Sequence, residues 1–186
     1  MSIQIIGKKK SGDSFSEKIL TNETDISFSR SNLETIDLEE LGKIPALKSL
    51  NLSNNNISSI DLKPLSNCSN LETLYLPGNQ LTAINLKPLS KCQQLQALDL
   101  QKNQLETIDL SPLSKNKELL YLFLMRNPLK EIDLSPLINC QKLQRVILNK
   151  EQLATITWKG KKVTNRKELP KGIRRYFKEI KAAISD

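Results

Sequence analysis

The chain has 186 residues, with 28 Lys and Arg against 20 Asp and Glu, and its apolar content of 38% includes only 4% aromatic residues; the length suits one domain, and its core must be aliphatic. It contains no histidine and three cysteines, which removes the commonest general base and metal ligand and leaves no CxxC pair for a zinc site or a disulfide framework. No apolar run approaches the ~20 residues of a membrane helix, so composition points away from an enzyme, a metal or cofactor protein and a membrane-spanning chain.

Residues 1–22 come first. IQII, residues 3–6, has the composition of an edge strand, and GKKKSGDS, residues 7–14, that of a turn. Such a segment is expected to act as an N-terminal cap over an open sheet edge, because a bare edge invites aggregation. In MSIQIIGKKK the short apolar patch precedes the charges, the reverse of a secretory signal. A cytoplasmic protein is expected.

Residues 23–156 repeat themselves. The template LxxLxLxxNxLxxIxLxPLxxxxx recurs every 24 residues from Leu47, Leu71, Leu95 and Leu119, with Asp or Asn between the Ile and the Leu. Leu47, Leu50, Leu52, Asn55, Ile57, Ile60, Leu62, Pro64 and Leu65 fill it in one copy. Copies starting at Glu23 and Leu143 keep the register, but Ser31 and Glu151 stand in the Asn slot. Atypical end copies are what a stack of repeats requires, since they face solvent or a cap.

These motifs resemble the leucine-rich-repeat family. The 24-residue IDLxPLxxC form also resembles repeats of archaeal proteins, including the Asgard lineages. The resemblance implies an α/β solenoid: a curved parallel β-sheet on the concave side, built from LxxLxLxxN, and short helical turns on the convex side. It also implies a module that binds a protein partner, as a regulatory scaffold of, for example, a small GTPase.

Three columns of the repeat look like sites. Asn55, Asn79, Asn103 and Asn127 are expected to satisfy backbone groups in the turn after the strand. Asp37, Asp61, Asn85, Asp109 and Asp133 invite a calcium reading, but a short polar side chain before a turn more often accepts local N–H groups. Ser111 and Ser135 read as caps of the convex turns. Cys68, Cys92 and Cys140 share one position, which Asn116 also fills, so the position demands no thiol. No metal site is expected.

Strand side chains alternate, which puts repeat positions 3, 5, 7 and 8 on the concave face. In the first two copies these are mostly Ser and Asn. Later copies bring Tyr121, Phe123, Met125 and Ile147 together, with Tyr75 and Asp99 adjoining and Lys102, Arg126, Arg145 and Lys150 at the border. An apolar and aromatic patch rimmed by charge has the composition of an interface core. The competing reading is that the C-terminal tail folds back over it.

That tail, residues 157–186, holds ten Lys or Arg and three Asp or Glu. Ile173, Phe177, Ile180 and Ile184 recur at helical spacing and predict a capping helix on the last repeat. Its basic side chains, within residues 159–181, offer a second function: binding nucleic acid or an anionic membrane. The chain is expected to be a monomer.

Overall fold

A computed structural model describes residues 1–149, 156–159 and 166–180. Lys150, Glu151, Leu153, Lys181 and Ile184 lie outside the described residues.

The N-terminal segment is a hairpin, longer than the sequence suggested. β1 (Ser2–Lys9) and β2 (Ser14–Leu20) pair antiparallel, so Gly7–Lys9, expected in the turn, are strand. Ile3, Ile5 and Ile19 alternate inward onto the first repeat, and Phe15 meets Phe28 edge to face at 5.5 Å. β1 pairs antiparallel with β4 (Leu33–Ile36), not with β3 (Asp25–Ser27). Gly7 permits this, because a Cβ there would collide with the Thr35 carbonyl.

The repeats build one parallel sheet. Beside β3 lie β5 (Ser49–Asn51), β6 (Thr73–Tyr75), β7 (Ala97–Asp99), β8 (Tyr121–Phe123) and, after the two-residue strand β9 (Ile132–Asp133), β10 (Arg145–Ile147). The six strands follow sequence order and pair in a register of 24 residues, Ser49 with Thr73, Thr73 with Ala97 and Ala97 with Tyr121. The architecture is a leucine-rich-repeat solenoid. Leu50, Leu74, Leu98, Leu122 and Val146, at the centres of five of the six strands, are fully buried in one continuous core with Ile26 at the centre of β3. A single copy has no second face to bury these against, so stacking supplies the core.

On the convex side five 3-10 turns of five residues stack: Glu39–Lys43, Lys63–Asn67, Lys87–Lys91, Ser111–Lys115 and Ser135–Asn139. Proline near the start of four of them loses no hydrogen bond, because the first N–H groups of a helical turn have no partner within it. Ser111 and Ser135 are not the caps. They lie inside the turns, and their N–H groups donate to Asp109 and Asp133 at 2.8 and 2.9 Å. Asp37, Asp61 and Asn85 accept the equivalent N–H of Glu39, Lys63 and Lys87. The acidic column is thus engaged with its own backbone.

Beyond the repeats, β11 (Ile156–Thr157) pairs parallel with β9, and Trp158 after it is buried. This strand runs across the boundary expected at residue 156. Arg174–Tyr176 form a 3-10 turn that continues as helix from Phe177. Among the described residues no helix is long and apolar enough to cross a membrane.

Candidate partner-binding surface

The ladders of the concave sheet set its surface. One runs Asp25, Ser49, Thr73, Ala97, Tyr121, Arg145, and the other Ser27, Asn51, Tyr75, Asp99, Phe123, Ile147. The first therefore changes from polar to aromatic and basic along the stack, and the second from polar to aromatic and aliphatic. In the first part hydroxyls and amides satisfy one another: Thr73 donates to Ser49 at 2.8 Å, and Asn51 accepts from both the N–H and the hydroxyl of Ser53.

In the second part the rings lead. Tyr121 and Phe123 stack on each other, centroids 6.2 Å apart and planes 10° from parallel. Tyr121 is 37% exposed, a large ring open to solvent. Phe123, Met125, Ile147 and Tyr75 are half-buried around it. The described part of the tail lies elsewhere, against the outer edge of β10. Gly172 donates to the Leu143 carbonyl at 2.8 Å, Val146 N–H donates to the Gly172 carbonyl at 3.3 Å, and the Tyr176 hydroxyl donates to the Val146 carbonyl at 2.9 Å. Gly172 sits here because a Cβ would come within 3.0 Å of both Leu143 Cγ and the Arg145 nitrogen.

Asp99 differs from its expected place at the patch surface. It is only 8% exposed, because Tyr75 and Phe123 flank it across the ladder. Burial pushes its carboxyl above the ordinary carboxylate value, and hydrogen bonds from Gln101 oppose that rise. Gln101 N–H reaches one oxygen at 3.0 Å and Gln101 Nε2 the other at 2.9 Å. Sequence reasoning missed Gln101; its signal is the same i to i+2 bond that Asn51 makes with Ser53.

The basic border has its own geometry. Repeat position 8 is left-handed, with φ of 56° at Arg30, 56° at Asn54, 67° at Gly78, 55° at Lys102 and 59° at Arg126. Gly and Asn enter this region readily, whereas a long side chain is disfavoured there by roughly 1 kcal/mol. Lys102, Arg126 and Arg145 are exposed and form no ion pair among the described residues. Lysines on the flanks of the stack do pair, across one repeat: Lys48 with Glu72 at 3.2 Å, Lys130 with Glu106, Lys142 with Glu118 and Lys159 with Glu131. Lys150 lies outside the described residues.

The other columns are occupied within the fold. Asn55 accepts from Ser31 and Leu33 N–H and donates to the Phe28 and Leu52 carbonyls; Asn79, Asn103 and Asn127 likewise accept from Ile57, Leu81 and Leu105 N–H and each donate to two leucine carbonyls. Cys68, Cys92 and Cys140 donate to the carbonyls of Leu41, Leu65 and Leu113 at 3.2–3.4 Å. Asn116 takes that role with two bonds, to Leu89 and Cys92. Burial pushes the Cys68 and Cys140 thiols up to about 11 and the Cys92 thiol up to about 12, which keeps them protonated and inert at neutral pH. Among the described residues no His, Cys, Asp or Glu cluster could hold a metal ion.

The family profile described as leucine rich repeat matches residues 21–81, 45–105 and 69–129, more than half of the chain. The chain belongs to the leucine-rich-repeat family. Leucine-rich-repeat proteins generally mediate protein–protein interaction. A solved structure of internalin C2 from Listeria monocytogenes shares the fold, with a TM-score of 0.56 and 27% identity. The match covers 69% of this leucine-rich-repeat chain and 53% of the internalin chain, about half its length. No curated protein matches this chain significantly.

Proposed function

We propose that the chain is a binding module that takes a protein partner on its concave face at copies three to six, as a regulatory scaffold of, for example, a small GTPase. The observation that carries this is the stack of exposed Tyr121 on half-buried Phe123, on a sheet whose first half is polar. Aromatic residues and Arg are the types that dominate binding energy at interface centres. The three unpaired thiols support a reducing, cytoplasmic setting, and the 24-residue motif supports the archaeal affinity. The module acts as a monomer. Capture of a partner from native lysate tests the reading: Tyr121→Ala and Phe123→Ala should each weaken binding by ~2 kcal/mol, and undiminished capture by both would refute it.

A second reading uses the tail. Arg166, Lys167, Lys171, Arg175 and Lys178 are exposed while Leu169, Ile173 and Ile180 are buried, so a basic surface suited to nucleic acid or an anionic membrane is on offer. Neutralising phosphates makes affinity fall steeply with salt. Binding to RNA or anionic vesicles that survives high salt would exclude it.

A further inference from the structure

The concave patch combines an apolar centre with cations that nothing in the described chain neutralises. Lys102 and Arg126 hold left-handed backbone positions that Arg30, Asn54 and Gly78 fill in the earlier copies. Folding alone favours Asn or Gly there, so the two cations are placed against local preference, beside the rings. Arg145 stands on the other side, next to Tyr121 in the ladder. The flanking lysines of the stack pair with a carboxylate one repeat away; these three do not. The nearby carboxylate, Asp99, is buried and both its oxygens accept from Gln101.

From this arrangement we infer that the partner presents an acidic segment: carboxylates on either side of a large apolar side chain that rests on the Tyr121–Phe123 stack. The inference rests on the concave-face reading and adds the partner's chemistry to it. Its geometry follows from the strands. Arg145 stands in β10 beside Tyr121, and Arg126 follows the end of β8 three residues after Phe123, so cations flank the ring pair at both ends. An acidic group on either side of the apolar one matches them. Buried Asp99 at the floor argues against a nucleic-acid phosphate, which it would repel from the centre of the patch. Peptide carboxylates stay at the rim.

Panning random dodecamer peptides on the immobilised full chain tests this, with oligouridylate as a parallel probe. The expected peptides carry Asp or Glu on both sides of Leu, Ile, Phe or Trp. A synthetic one should lose about tenfold or more in affinity on the Lys102→Gln, Arg126→Gln, Arg145→Gln triple variant, since three exposed ion pairs would be lost together. It should lose as much on the Tyr121→Ala, Phe123→Ala double variant and nothing on Ser49→Ala, Asn51→Ala. Replacing the peptide's acids by Gln gives the same test on the unaltered chain. Neutral or basic peptides that need the rings but ignore the cations would overturn the inference and leave the concave-face reading standing. Peptides indifferent to the rings, or no ring-dependent peptide at all, would overturn both. Oligouridylate bound through the three cations, with no acidic peptide selected, would overturn the inference in favour of nucleic acid.

Discussion

Copies one and two present Asp25, Ser27, Ser49 and Asn51 to the concave side, whereas copies five and six present Tyr121, Phe123, Arg145 and Ile147 at the same ladder positions. The scaffold beneath is the same in both. Leu50 and Leu122 are each fully buried, and the strands pair in one register. Nothing in the stacking therefore requires the rings of the second region; Ser and Asn serve the same backbone in the first. The contrast shows which residues the fold specifies and which it leaves free. Inward Leu and Asn positions are constrained by packing and hydrogen bonding. Outward positions are free, and in one half they hold large apolar groups that gain little from folding.

Substitutions at four kinds of position test this contrast. The largest effect belongs to the shared core. Leu50→Ala and Leu98→Ala should each lose roughly 2–5 kcal/mol in denaturant melts, because each leaves a cavity inside the stack; a harmless change at either site would mean that the two halves do not share a core. Next is Gly172→Ala, which forces a Cβ against Leu143 and the Arg145 backbone. Overpacking of this kind costs about 1–3 kcal/mol, and faster hydrogen exchange at Val146 N–H should accompany it. An unchanged melting curve would show that the tail does not seal β10.

A smaller effect separates Asp99 from Asn51, its counterpart in copy two. Burial raises the Asp99 carboxyl above its ordinary value, so the folded chain keeps that proton to a higher pH than the unfolded chain. Stability then falls as pH rises from the ordinary carboxylate value to the raised one, and the loss is complete above it. An amide in place of this carboxylate would escape the loss and could still accept Gln101 N–H, as Asn51 accepts Ser53 N–H. Asp99→Asn should therefore stabilise the chain at neutral pH, by less than Gly172→Ala destabilises it, with the gain vanishing in acid. A gain that persists in acid would trace to something other than ionisation. The smallest effect is Tyr121→Ser, which should move stability by no more than about 0.5 kcal/mol; a larger loss would make Tyr121 part of the core.

The repeated part of the fold was legible because each inward position recurs in every copy. A Leu every 24 residues at Leu50, Leu74, Leu98 and Leu122 has one consistent reading, a stacked strand. The ends were less legible because they occur once. Pairing of β1 with β4 depends on the close approach at Gly7, which composition does not reveal. In the tail, helical spacing picked out Ile173, Phe177 and Ile180, yet buried Tyr176 went unnoticed. The chain turns there as a 3-10 helix, whose three-residue period aligns Tyr176 with Ile173. Reading the ladders located the aromatic patch, but the burial of Asp99 arises from neighbours one copy to each side, Tyr75 and Phe123, far apart in sequence.

If copies three to six carry a partner surface that copies one and two lack, a crosslinker placed on each half should distinguish them. A photo-reactive benzoylphenylalanine is installed at position 121 in one preparation and at position 51 in another, and each is irradiated in native lysate. The expected result is a discrete protein adduct from position 121, suppressed when Phe123→Ala is added, and none from position 51. Equal adducts from both positions, or an adduct at 121 that ignores Phe123, would contradict the concave-face reading.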